Sequence, residues 1–193
     1  MNSKRIALIG VLVGLTFLLG LTPIGIIPIP PANVTVMCLP VIIGTLICGL
    51  GTGLLLGGVF GITSVIRAFT APSALVAPLL ADSPVLVIIM SMVSRLLIPV
   101  VAYYVYRLVA GKERKRQKTG IAVASAAGSI ANTIAYLGLM LLFYQIMGID
   151  NAAVLGTIAG VGALNGSLEA VAAVLVCTPV ILAVRKSTKL AVL

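Results

Sequence analysis

Between positions 22 and 73 the chain runs TPIGIIPIPPANVTVMCLPVIIGTLICGLGTGLLLGGVFGITSVIRAFTAPS, and no other stretch limits its fold so tightly. Four prolines (Pro23, Pro28, Pro30 and Pro31) lead into a run without a single charge, from Val34 to Ile66. Proline-rich backbone lacks the donors needed to cross hydrocarbon, so it lies outside the bilayer or lines a protected cavity. One continuous helix over 34–69 would be roughly 50 Å long, against ~30 Å of hydrocarbon. The run therefore fits only when folded back on itself as two short helices, broken at the glycine cluster Gly49, Gly51 and Gly53. The expectation is a structured external loop above a small, closely packed helical bundle.

Hydrophobic residues make up 61% of the 193 and charged residues 9%, with a mean hydropathy of +1.26. A soluble domain could not cover its surface with so few charges, which makes this an integral membrane protein. The long continuous apolar runs specify helices, since barrel strands would alternate. The first run, 6–21, is too long for the core of a cleavable signal and lacks a small-residue cleavage site, so it reads as a retained span.

The net charge of +9 sits at the ends of spans. Lys4 and Arg5 lie at the start, Lys112, Arg114, Lys115, Arg116 and Lys118 form a central cluster, and Arg185, Lys186 and Lys189 lie near the end. This is a positive-inside pattern rather than a nucleic-acid surface, and no nucleic-acid partner is expected. Spans are read at 5–22, 34–49, 51–69, 84–109, 120–147 and 155–184, one all-α domain over 1–193. With six spans, all three basic regions fall on the cytoplasmic side together with both termini. The external face then carries the connections 23–33, 70–84 and 148–153, and long loops gathered on one face commonly carry function.

The chain has no histidine, and its carboxylates are Asp82, Glu113, Asp150 and Glu169. Cys38, Cys48 and Cys177 lie in apolar context without paired spacing and read as buried, inert thiols. That inventory assembles neither a metal site nor an acid–base pair, so no enzyme, metal or cofactor is expected.

Ionisable groups well inside a span are costly, and they point to function. Arg95 in the fourth span and Glu169 in the sixth qualify. Ser91 shares a helix face with Arg95, and Asn165 shares one with Glu169. Asn132 lies mid-span in the fifth helix, and Arg67 lies near the outer end of the third, where it can snorkel to the interface. One reading pairs Arg95 with Glu169 and uses Asn132 and Asn165 as interhelical glue. The other makes these groups the lining of a ligand cavity, with Asn33 added from the loop that closes it. Beside an anionic ligand, Glu169 would pair with Arg95, take up a proton or point away, and its favoured role is to orient Arg95 or Asn165.

There is no tryptophan, and Tyr103, Tyr104 and Tyr106 cluster at the cytoplasmic end of the fourth span, as in an interfacial belt. With little to grip a flat ring by stacking, the cavity suits a compact, flexible, partly apolar ligand, and Arg95 and Arg67 favour a carboxylate on it. Gly10 and Gly14 make a small-xxx-small face on the first span, either for packing within the bundle or for another helix. Gly53, Gly57 and Gly61 make a similar ridge, assigned to internal packing.

Five segments, LPVIIG (39–44), GGVFGITS (57–64), SRLLIP (94–99), GSIANT (128–133) and NGSLEAV (165–171), occur in the order of spans two to six of a known family. In them the chain resembles the substrate-binding S-components of energy-coupling factor (ECF) vitamin transporters, and is most similar to the pantothenate type. The resemblance implies a six-helix bundle in a prokaryotic cell membrane that binds one vitamin beneath its external loops. It also implies docking on a membrane coupling subunit that carries two cytoplasmic ATPases, and tilting to release the cargo inside. In this family small-xxx-small faces on the first helix contact the coupling subunit, which maps onto Gly10 and Gly14, where the family usually has alanines. Pantothenate carries one carboxylate with hydroxyls and an amide, and it leads biotin and folate as the expected ligand. A stand-alone carrier or channel is the competing class, and a purely structural subunit is a third.

Overall fold

The computed structural model describes residues 3–22, 25–29, 32–111, 116–148 and 152–188. Among them the chain forms α1 (Ser3–Leu21), β1 (Ile26–Ile29), β2 (Ala32–Thr35), α2 (Cys38–Cys48), α3 (Leu50–Thr70), α4 (Ala77–Asp82), α5 (Pro84–Ala110), α6 (Gln117–Ile146) and α7 (Ala152–Thr188). Four helical segments, in α3, α5, α6 and α7, are long and apolar enough to cross a membrane, while Arg5–Leu21 and Cys38–Cys48 are apolar but shorter. The architecture is helical throughout apart from one small hairpin, and it is that of a multi-pass membrane protein. The expected positions Lys112, Glu113, Arg114, Lys115, Asp150 and Lys189 lie outside the described residues, as do Pro23, Pro30 and Pro31.

α2 is apolar on every side and buried from Pro40 to Cys48, which makes it the central helix of the bundle. It packs on α1, α3, α5 and α7. Pro40 is tolerated because it falls in the first turn, where backbone N–H groups have no intrahelical partner. The expected fold-back occurs at Gly49 alone, and Gly51 and Gly53 already belong to α3. Gly49 holds φ 94° and ψ 170°, which a residue with a side chain rarely adopts, and its N–H donates to the Thr45 carbonyl at 2.9 Å. Gly53 then meets the Thr45 side chain, and Gly44 meets Leu56, so α2 and α3 run back along each other.

The expected second span, 34–49, needs correction at its start. Val34 and Thr35 end strand β2, which pairs antiparallel with β1 in the register Ile26↔Thr35, Ile27↔Val34, Pro28↔Asn33 and Ile29↔Ala32. The helix begins only at Cys38 and is 11 residues long, about 16 Å and half the hydrocarbon thickness. Three consecutive residues, Val34, Thr35 and Val36, favour extended backbone through branched side chains or β-branching. The hairpin thus stands above α2 where the outer part of a full span would have been.

α3 approaches α5 along Gly53, Gly57 and Gly61, as the internal-packing reading required. A Cβ on Gly57 would come within 2.9 Å of the Arg95 carbonyl oxygen, and one on Gly61 would strike Met92. Pro99 lies inside α5 and has no N–H to give the Arg95 carbonyl, so a bare glycine backbone faces that carbonyl instead. The core has two apolar clusters. One gathers Val41, Ile42, Leu46, Leu56, Ile98 and Ile121 with residues of α7. The other gathers Val76, Leu79, Val87, Met90, Met140 and Tyr144.

Helix ends alternate between two poles. Arg5 donates to the Cys48 carbonyl, Gly120 abuts Ala110, and Arg185 donates to the Gln117 side chain. One pole therefore collects the start of α1, the α2–α3 turn, the end of α5, the start of α6 and the end of α7. The opposite pole collects the hairpin, the end of α3, α4 and the start of α5.

Candidate functional site

Between the two apolar clusters lies a cavity of about 550 Å³, bounded by β2, α3, α5, α6, α7 and the 71–76 connection. Its polar wall is set by helical spacing. Ser64 and Arg67 share a face of α3, Asn132 and Tyr136 share one of α6, and Asn165 and Glu169 share one of α7. Arg95 enters from α5.

Arg95 is held on several sides. Its Nε donates to Ser64 Oγ at 3.2 Å and its Nη1 to Ser94 Oγ at 2.6 Å. Ser94 in turn donates to the Met90 carbonyl at 2.7 Å. The guanidinium carbon lies 4.4 Å from the Tyr136 ring centroid and 5.2 Å from that of Phe60, within cation–π range of both.

Glu169 is only 7% exposed. Its Oε1 accepts from the Thr35 N–H at 2.9 Å and from the Thr35 hydroxyl at 2.6 Å, tying the end of β2 to α7 across the cavity. The hydrogen bonds of the two groups do not join them, unlike the reading that pairs Glu169 with Arg95. The carboxylate is occupied by the hairpin and the guanidinium by serines and aromatic rings.

Three buried polar atoms on the wall have no hydrogen-bond partner among the described residues: Arg67 Nη1, Asn132 Oδ1 and Asn165 Oδ1. Leaving such groups unpaired costs about 1–3 kcal/mol each. Arg67 lines the cavity with its Nη1 buried, while the residue as a whole is partly exposed. Two guanidiniums face one carboxylate, so the described lining carries a surplus of positive charge.

Of the residues singled out from sequence, Arg67, Arg95, Asn132, Asn165 and Glu169 share this one cavity. Asn33 has its backbone in β2, and its side chain lies outside the described residues. Thr35, Ser64 and Tyr136 were missed. Tyr136 lies four residues after Asn132 and Ser64 three before Arg67, so extending each polar face by one turn would have found both. The cavity is therefore less poor in aromatics than expected, although Tyr136 is covered by Arg95. Gly10 and Gly14 are exposed on α1, and a Cβ on either would meet nothing within 4 Å. They form no internal seam. All three cysteines are free and buried.

The sequence profile of the family described as "ECF transporter, substrate-specific component" matches residues 4–181. The chain is also similar to the "Pantothenic acid transporter PanT" of Lactococcus lactis subsp. cremoris (strain MG1363). The two are 28% identical over 169 residues, covering 81% of this chain and 80% of that relative.

Proposed function

The chain belongs to the family of ECF transporter substrate-specific components, and from that premise we propose that it captures pantothenate outside the cell and passes it to an ATPase-driven coupling module. It is a transport protein and not an enzyme. The observation that carries the reading is a positively biased cavity with three unpaired hydrogen-bonding atoms at the pole opposite the basic helix ends. Arg5, Lys118, Arg185 and Lys186 belong to the other pole, which the positive-inside rule assigns to the cytoplasm. Six membrane-embedded helices, α1–α3 and α5–α7, with both termini inside then leave the cavity open to the outside of a prokaryotic cell membrane.

The volume falls within the ~300–1,000 Å³ usual for small-molecule sites. Pantothenate matches the lining: its carboxylate suits the surplus positive charge, and its hydroxyls and amide N–H are donors for the carbonyl oxygens of Asn132 and Asn165. Thr35 neutralises part of the objection to Glu169, because two donors already solvate that carboxylate. A stand-alone carrier or channel fits less well. Below the cavity the path is filled by Val41, Ile42, Leu46, Ile98 and Ile121, all fully buried. The outward Gly10 and Gly14 offer a close-approach surface on α1 for the membrane coupling subunit, which would carry two cytoplasmic ATPases.

Equilibrium binding to the purified protein against a vitamin panel tests the reading. Pantothenate is expected to bind about a hundredfold or more tighter than biotin, folate, riboflavin or thiamine. Preferential binding of biotin or folate would keep the family and overturn the ligand.

A further inference from the structure

The two arginines of the cavity stand in different states. Two of the three nitrogens of Arg95 are committed to Ser64 and Ser94, and its plane rests against Tyr136 and Phe60. Two of its five N–H donors are used, and with Nε bound to Ser64 and Nη1 to Ser94 each edge that could hold a carboxylate as a fork is already engaged at one nitrogen. Arg67 Nη1, in contrast, is buried on the cavity wall and has no hydrogen-bond partner among the described residues. Arg67 also lies one helical turn beyond Ser64, toward the 71–76 connection and the hairpin pole. Asn132 and Glu169 are on the deeper side, where the wall runs into the cluster of Ile98 and Ala173.

We propose that Arg67 is the residue that reads the carboxylate of the ligand, at the mouth of the cavity, while Arg95 is a positioning residue that fixes Tyr136 and Ser64 beneath it. The inference rests on the reading of the ligand as a carboxylate-bearing vitamin. It implies an orientation: the acid end faces the 71–76 connection, and the hydroxyl-bearing end lies deep, against Asn132 and Asn165. The charge of Arg95 adds only a field that favours the acid weakly, and direct hydrogen-bonded discrimination between an acid and its neutral analogue resides in Arg67.

The test is a cycle of two ligands and several variants. Pantothenate and panthenol, which has an alcohol in place of the carboxylate, are titrated by calorimetry into the wild type, Arg67→Gln, Arg67→Lys and Arg95→Lys. Each variant is first checked for a monodisperse, cooperatively unfolding state. The wild type is expected to prefer pantothenate by about a hundredfold, a charge-assisted pair against a neutral one. Arg67→Gln is expected to bring the two ligands within about threefold of each other with panthenol affinity preserved, because the cycle isolates the carboxylate interaction. Arg67→Lys should retain part of the preference, and Arg95→Lys should weaken both ligands by similar factors. Full wild-type preference in a folded Arg67→Gln protein would overturn the assignment. So would loss of preference confined to Arg95→Lys. If the wild type binds neither probe, the pantothenate reading falls and takes this inference with it.

Discussion

Glu169 and Thr35 form the contact that joins the hairpin to α7 most directly. A carboxylate buried in a membrane bundle needs donors, and this one takes both from a residue that also ends strand β2. The contact fastens the hairpin above the cavity, so its loss should be felt mainly when ligand leaves. Thr35→Val keeps the shape and the backbone N–H but removes the hydroxyl. The variant is expected to release pantothenate about tenfold faster with little change in association rate, the effect of one charge-assisted hydrogen bond. Washout of labelled ligand measures it, and an unchanged dissociation rate would show that the hairpin is held by other means.

Among the elements, α3 and α5 matter most, because one carries Arg67 and the other Arg95. Their spacing depends on Gly57, where a methyl group would press on the Arg95 carbonyl. Gly58, one residue on, has open space where its Cβ would lie. Gly57→Ala is expected to cost about 1–3 kcal/mol of overpacking and to weaken ligand binding, while Gly58→Ala leaves both unchanged. Thermal unfolding in detergent, with and without pantothenate, distinguishes them. Equal behaviour of the two variants would contradict the role given to the ridge. The ridge was legible in the sequence because glycines at 53, 57 and 61 repeat at helical spacing. The Gly49 fold-back was legible because a single helix over that run would be too long. The hairpin was not legible: Val34, Thr35 and Val36 are as apolar as the helix that follows, and hydropathy does not separate a strand from a helix over so short a run. For the same reason the site was read only in part. Arg95 and Glu169 stand out by their cost within a span, whereas Tyr136 and Ser64 have no such cost and emerge only from the packing.

The molecule as a whole is polarised. Outside the cavity, Arg5, Lys118, Arg185 and Lys186 lie at one pole, the cavity opens toward the other, and an apolar cluster fills the space between them. Such a body can hold a solute at one face of a membrane, and among the described residues an apolar cluster rather than a polar route lies beneath the cavity. On the function proposed above, transport falls to a partner that reorients it, and the exposed glycine face of α1 is where close helix packing is unobstructed. The most direct test is accumulation of labelled pantothenate by sealed vesicles containing this chain alone, or the chain with a coupling subunit and its ATPases. The chain alone is expected to bind pantothenate without accumulating it, and accumulation should appear only with the full module and ATP. Accumulation by the chain alone, or a complete module with ATP that leaves pantothenate outside, would contradict the account.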